Sequence, residues 1–430
     1  MSRKKSLNVI TLGCSKNLVD SERILGQLPA GKYRLSHDAS GPADIVIINT
    51  CGFIRDAKEE SIDTILEYVE AKKQGLVEKV LVTGCLSQRY KEALEKEVPE
   101  VDAWFGAREP DDLFDYLAHP YSTHSGKRFL TTPSHFAYLK IAEGCDRTCS
   151  FCAIPMIRGA FRSRTIESLV EEAHNLAAKG AKELLLVAQD LSYYGYDLER
   201  KPLLAPLLRE LSKVQGIEWI RLHYAYPQKF PEEVIPIMAN DPKICRYLDI
   251  PLQHINDDIL KAMKRGHDRQ GTLQLLEKFR KQIPGVALRT TLLVGFPGET
   301  RREFQELLDF VKLARFERLG VFTYSPEEGT TGYALGDPVP EKEKQRRADQ
   351  LMELQAEISG ALNEEKIGKT FKVLIDRTEG DYFIGRTEFD SPEVDNEVLV
   401  DKAPGIRIGN FVNVKINSAT DFELFGTEIF

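Results

Sequence analysis

Strand-length apolar runs alternate with stretches of helical period up to about residue 340. The first runs are Asn8–Leu12, Asp44–Ile48 and Lys79–Thr83, and between them Asp56–Lys73 repeats Ile62, Ile65, Leu66 and Val69 on one helix face. This alternation predicts a doubly wound parallel sheet over residues 1–118. His119–His135, with Pro120, Ser122, Ser125, Gly126 and Pro133, reads as a linker. Residues 136–340 then offer six strands, Ala137–Ala142, Glu183–Ala188, Trp219–Tyr224, Tyr247–Ile250, Ala287–Val294 and Arg318–Thr323. Helical stretches such as Ile166–Lys179, Leu203–Val214, Asp257–Met263 and Arg302–Leu313 fall between them. Six βα units in succession predict a full or partial TIM-type barrel, with active-site loops at the strand C-termini. Residues 341–365 predict one long charged helix. Over 366–430, the runs Thr370–Asp376, Tyr382–Thr387, Glu397–Val400, Phe411–Ile416 and Phe422–Ile429 predict a small antiparallel β-barrel of OB-like shape. The fold class is α/β with an all-β C-terminal unit.

Composition narrows the function. The chain is 42% apolar and 29% charged, as globular proteins are, and no apolar run approaches the roughly 20 residues of a membrane span. The basic start, MSRKKSLNVITLG, has no signal-peptide core, so a cytoplasmic location is expected. A net charge of −8 argues against a broad nucleic-acid surface and allows a basic partner. Seven cysteines in a reducing compartment point to metal ligation, catalysis or burial rather than disulfides.

Three of them lie in Glu143-Gly144-Cys145-Asp146-Arg147-Thr148-Cys149-Ser150-Phe151-Cys152, the loop after the first predicted barrel strand. Structural zinc and ferredoxin clusters want a fourth protein ligand, and no Cys or His lies nearby. A cubane held by three thiolates leaves one iron open to a small molecule. CxxxCxxC in this position, with an aromatic before the last Cys, resembles the signature of the radical S-adenosylmethionine (SAM) superfamily. The resemblance implies a 4Fe-4S cluster on Cys145, Cys149 and Cys152 whose open iron chelates SAM, and one-electron cleavage of SAM to a 5′-deoxyadenosyl radical. It also implies that Phe151 packs on the adenine side. Strand-end position makes Gln189, Asp190, Arg221, Gly295 and Glu299 further candidates for SAM contact, each with a turn or packing role as the alternative.

Cys14, Cys51 and Cys85 fall in Leu12-Gly13-Cys14, Asn49-Thr50-Cys51-Gly52 and Thr83-Gly84-Cys85, each just past a predicted strand. That edge is where ligands gather in doubly wound folds, and adjacent strands lie under ~5 Å apart. The three loops therefore converge on a second three-thiolate cluster. Two such clusters and a C-terminal β-barrel resemble the methylthiotransferase family of radical SAM enzymes over essentially the whole chain. That family replaces C–H by C–S–CH3, with one SAM as methyl donor and another as radical source. The resemblance implies that Cys14, Cys51 and Cys85 hold an auxiliary 4Fe-4S cluster carrying the transferred sulfur, and that the C-terminal barrel is a TRAM domain. It also implies a flavodoxin- or ferredoxin-type reductant.

Thr11-Leu12-Gly13-Cys14-Ser15-Lys16-Asn17-Leu18-Val19-Asp20-Ser21-Glu22 resembles the branch that modifies the β-carbon of an aspartate in ribosomal protein S12. Asp249-Ile250-Pro251-Leu252-Gln253-His254 and Asp390-Ser391-Pro392-Glu393-Val394-Asp395 resemble it too. The tRNA-modifying branch has a Gln-Met pair where this chain has Ser15-Lys16. Residues 366–430 carry 8 Lys and Arg against 12 Asp and Glu, and an acidic barrel suits a basic ribosomal protein better than tRNA phosphates. The alternatives are methylthiolation of a tRNA adenosine, or a non-catalytic iron–sulfur protein that binds RNA or relays electrons. The open fourth ligand position disfavours the relay.

Arg158, Tyr194, Tyr224 and His254 are tentative substrate contacts. Arg158, with Arg162 and Arg164, either grips carboxylates or is a solvated basic stretch. Tyr194 and Tyr224 either line the cavity or pack in the core, and His254 is either a contact or a structural histidine. Cys245 has no partner and reads as buried packing.

Overall fold

The computed structural model describes residues 3–108, 110–122 and 126–429; Ser125 of the expected linker lies outside the described residues. Five parallel strands, β1 (Lys5–Thr11), β2 (Tyr33–His37), β3 (Ala43–Thr50), β4 (Val77–Gly84) and β5 (Ala103–Trp104), form a sheet in the order β2-β1-β3-β4-β5. Its central strands β3 and β4 are apolar on both faces, as a parallel sheet covered on two sides requires. Along β3, Ile45 and Ile47 enter one core with Leu7, Val9, Leu25 and Phe114, while Val46 and Ile48 enter another with Ile65, Val80 and Leu86. The period of two thus builds a three-layer unit.

Strand β6 (Phe136–Lys140) opens the second sheet, and the short pair β7 (Ala142–Glu143) and β8 (Arg162–Ser163) flanks the cysteine loop. Strands β9 (Glu183–Val187), β10 (Trp219–Leu222), β11 (Ile244–Asp249), β12 (Ala287–Val294) and β13 (Arg318–Thr323) follow. They pair in parallel in the order β6-β9-β10-β11-β12-β13. The sheet curves through six strands without closing, so the partial form of the expected barrel is the one present. The helix Ser15–Gln27 packs Val19 against Phe136, Tyr138, Leu185 and Val187. This contact seats the first sheet beside the mouth of the second.

The stretch expected as a loose linker is anchored. Arg128 is buried between Glu22 of the first unit and Glu172 of the second, and also donates to the Tyr138 carbonyl.

Helix Glu341–Glu364 lays Ala348, Leu351 and Ile358 on the barrel core. It leads to β14 (Thr370–Glu379), β15 (Tyr382–Thr387), β16 (Glu397–Asp401), β17 (Phe411–Ala419) and β18 (Glu423–Ile429), closed in the order β14-β15-β16-β18-β17. The expectation of a wholly antiparallel barrel is corrected at one seam, since β16 and β18 pair in parallel; period-two alternation does not encode strand direction. This barrel plugs the half-barrel. Asp390 pairs with Arg318, Asp395 with Arg289 at 3.3 Å, and Arg386 with Glu183 at 2.8 Å. Among the described residues no helix is long and apolar enough to cross a membrane.

Candidate active site

Parallel register brings the first cysteine set together. Thr11 lies opposite Asn49, and Thr50 opposite Gly84, so Cys51 and Cys85 leave aligned strand ends and Cys14 begins the helix beside them. Two glycines make the approach possible. Gly13 has φ +93°, and a Cβ there would lie 2.7 and 2.8 Å from Cβ and Sγ of Cys51. Gly84 has φ +102°, and a Cβ would lie 2.5 Å from the Thr50 carbonyl. Only glycine fits both the backbone and the space. Cys14 is exposed, whereas Cys51 and Cys85 are buried.

The second set sits at the C-terminal end of the half-barrel. The Arg147 amide donates to Cys145 Sγ at 3.4 Å, the Arg265 guanidinium donates to Cys149 Sγ at 3.3 Å, and Tyr226 Oη lies 3.9 Å from the same sulfur. Two cavities border this loop. One of about 900 Å³ is lined by Thr148, Gln228, Lys261, Lys264 and His267, and one of about 220 Å³ by Cys145, Arg147, Asp190 and Tyr193.

Burial pushes the Cys51 thiol up to about 12, Cys145 to about 11 and Cys152 to about 12, and raises Cys85 as well. Such thiols stay protonated at neutral pH unless a metal takes the proton's place. Among the described residues no three His, Cys, Asp or Glu side chains converge on a single metal ion. A cluster spreads its thiolates over several irons, whereas a lone zinc draws every sulfur to ~2.3 Å. The soft donors, and the guanidinium donors to Cys85 and Cys149, fit iron–sulfur ligation.

Arg158 joins the two sets. It ends the helix Ile154–Arg158, which follows Cys152, and is fully enclosed. Its guanidinium donates to Cys85 Sγ at 3.2 Å and Asp20 at 2.6 Å, to Asn17, and at 3.4 Å to Glu143. Glu143 also pairs with Lys140 at 2.6 Å and accepts from Gln189 at 3.0 Å. Burial opposes ionisation of Glu143, but Lys140 and Arg158 outweigh it and hold its carboxyl far below the usual range.

The SAM candidates divide. Gln189 keeps a buried Oε1 with no partner, an open acceptor beside the cluster loop. Asp190 accepts from Arg147 Nε at 2.8 Å and from the Ser192 amide, and burial raises its pKa. Phe151 packs with Met263, Phe296 and Tyr324. Arg221 does not face a cofactor cavity; it bonds Glu183 at 2.8 Å and the carbonyls of Thr387 and Glu388, so its charge is spent on docking the C-terminal barrel. The open backbone expected at Gly295 is instead filled by the Lys344 side chain, with Cδ 3.0 Å from where a Cβ would stand. Glu299 is buried, accepting from the Gly295 amide at 3.1 Å and from Arg347 at 2.5 Å, and so braces its own turn.

The tentative substrate residues are also redistributed. Arg158 lies between the cysteine sets, and Tyr194 is fully buried, its hydroxyl donating to the Arg164 carbonyl at 2.7 Å. His254 is fully buried, its Nδ1 accepting from the Asn256 amide at 3.0 Å. Tyr224 stands at the barrel mouth with no hydrogen bond from its hydroxyl among the described residues, and the Lys16 ammonium sits 3.3 Å from its ring centroid. Cys245 is buried beside Trp219 and Tyr247, as expected. Sequence reasoning missed Asn17, Asp20, Glu143, Arg147 and Arg265. A signal for Asn17 existed: Asn17 and Ser21 are polar residues on the same helix side as Ile24 and Leu25, which is a buried side.

The sequence matches the Radical SAM superfamily over residues 139–311, Uncharacterized protein family UPF0004 over 6–106, and the TRAM domain over 367–429. It is 57% identical to the ribosomal protein uS12 methylthiotransferase RimO of Christiangramia forsetii, covering 99% of this chain and 94% of that one. The proteins of that name from Flavobacterium psychrophilum and Bacteroides fragilis are 56% and 50% identical, each covering 99% of this chain, and 98% and 99% of their own. Among solved structures, the radical SAM methyltransferase TsrM from Kitasatospora setae superposes with a TM-score of 0.55 at 15% identity, covering 75% of each chain. The cobalamin-dependent radical SAM enzyme OxsB gives 0.52 at 13% identity, covering 80% of this chain and 56% of that one. These two share the fold.

Proposed function

The chain belongs to the ribosomal protein uS12 methylthiotransferase family of radical SAM enzymes, and on that premise we propose that it adds a methylthio group to the β-carbon of an aspartate in uS12. The observation that carries the reading is the 3.2 Å contact between Arg158, on the helix after Cys152, and Cys85 Sγ, which joins the two three-cysteine loops in one seam. Cys145, Cys149 and Cys152 would hold a cluster that with SAM would supply radical chemistry, and Cys14, Cys51 and Cys85 would hold an auxiliary cluster that would supply the sulfur, with a second SAM as methyl donor.

The protein's residues position and enclose. Arg265 and Tyr226 fix Cys149, Asp190 orients Arg147 beside Cys145, and Gln189 presents its free acceptor to the SAM side. Holding the reacting groups in line and away from water is their contribution to rate. A flavodoxin- or ferredoxin-type protein supplies electrons in the cytoplasm, where thiols stay reduced.

The test is iron content and product mass. Anaerobically reconstituted protein should hold about eight irons, and the Cys14/Cys51/Cys85 triple alanine variant about four. The wild type should add one methylthio group to uS12 and none to tRNA; the variant should cleave SAM without transfer. Four irons in both proteins, or modification of tRNA alone, would sink the proposal.

A further inference from the structure

Lys16 is an enclosed cation without an anion. Its residue is 9% exposed, and its ammonium lies over the Tyr224 ring, 3.3 Å from the centroid. Among the described residues it has no ion pair, although other cations at the two cysteine sets do. Lys140 and Arg158 share Asp20, and Arg147 holds Asp190. An aromatic face compensates only part of the cost of taking an ammonium out of water, and no side chain among the described residues pairs with it to supply the rest.

Its position says what would pair with it. Lys16 lies two residues beyond Cys14, while Tyr224 lies just past β10 at the mouth of the half-barrel. The pair therefore bridges the first cysteine set and the barrel opening. Tyr224 is held there in a left-handed conformation, φ +63°. Its amide donates to Asp249 at 3.2 Å and its carbonyl accepts from the Leu191 amide at 3.1 Å. Strained backbone pinned from both sides marks a side chain that must point one way.

We propose that Lys16, backed by Tyr224, reads the carboxylate of the substrate aspartate at the seam between the two cysteine sets, an assignment that rests on the functional reading above. The chemistry suits the reaction, because the carboxyl carbon of aspartate is bonded directly to Cβ. A grip on the carboxylate therefore fixes the carbon that loses hydrogen. A lysine provides a single point charge on a flexible stem, adequate for one carboxylate oxygen.

The experiment measures binding of uS12 carrying Asp or Asn at the modified position to the reconstituted enzyme, by fluorescence anisotropy, with SAM affinity and iron content in parallel. The wild type should prefer Asp by about 30-fold, the effect of losing one desolvated charge pair. Lys16→Gln should bind both forms at the weak level, and Lys16→Arg should keep part of the preference, with SAM affinity and iron unchanged in both. The assignment is overturned if Lys16→Gln still prefers Asp, or if it loses SAM affinity instead, which would make the SAM carboxylate the missing anion. Equal affinity of the wild type for Asp and Asn overturns it without any variant. Failure of the wild type to bind either form would bring down the functional reading itself.

Discussion

At Arg158 the identity of one side chain decides how two parts of the molecule meet. The sequence places it with Arg162 and Arg164 in one basic stretch, and the fold gives the three separate tasks. Arg162 is exposed, Arg164 pairs with Glu172 at 2.6 Å, and Arg158 fills the seam. Its five donors match four acceptors from both units in a way that no lysine repeats. Arg158→Met would leave the half-buried Asp20 and Glu143 with only Lys140 between them, a loss of about 3 kcal/mol, the low end for a broken buried pair. Denaturant unfolding should show that loss, and Arg158→Lys should recover part of it. Iron retained at the first cysteine set should fall in Arg158→Met before the barrel set is affected, because the contact removed is to Cys85. Full iron and unchanged stability would mean that the seam does not depend on this residue.

Between elements, the connection through Arg128 makes a pH-dependent clamp. Burial works against ionisation of Glu172, but Arg128, Arg164 and Arg23 outweigh it and hold its pKa at about 2. An unfolded glutamate titrates near ~4.3. The stabilisation is therefore complete above the unfolded value and is lost as pH falls through about 2. In urea unfolding followed by circular dichroism, wild type should exceed Glu172→Gln at neutral pH, and the gap should narrow steadily below pH ~4. A gap that does not change with pH would assign the difference to packing. The clamp was not legible in the sequence, where Pro, Gly and Ser around Arg128 signal a loop and nothing signals that its one arginine is buried. Strands with long apolar runs were legible to the residue, as at Ala287–Val294, Arg318–Thr323 and Tyr382–Thr387. Tyr33–His37, a short edge strand with only two apolar residues, and the two-residue Ala103–Trp104 left no such trace. The helices Val234–Asn240 and Arg269–Gln282 were obscured by Pro236 and Gly271, both tolerated because they fall in the first turn. In the site, the strand-end placement of the two three-cysteine sets was readable from loop position, whereas the contacts of Arg265 and Arg158 were not, because their partners are distant in sequence.

Across the whole molecule, docking of the C-terminal barrel changes what its charge means. Asp376, Asp390 and Asp395 are spent on Arg386, Arg318 and Arg289. Removing those three acids and Arg386 from the count over 366–430 leaves 9 acidic and 7 basic residues, net −2 rather than −4. The Asp390–Asp395 segment is thus a plug in the half-barrel, and the attraction this barrel offers a basic protein is half what composition suggests. The two groups of acids should then separate experimentally. The double variant Asp390→Asn/Asp395→Asn removes the carboxylate partner of Arg318 and one of the two held by Arg289, which keeps Asp249 at 3.2 Å, and should cost about 3–5 kcal/mol, most of it at Arg318. Hydrogen exchange should rise across the five barrel strands. The exposed Asp381→Asn/Asp401→Asn variant should leave stability within ~0.5 kcal/mol, yet slow association with uS12 at low salt and flatten its salt dependence, because exposed charges act by screened steering. Stopped-flow association at two ionic strengths separates the cases. If the exposed pair has no effect on association at either salt, the barrel serves as the plug alone and recognition falls to the seam at Lys16 and Tyr224.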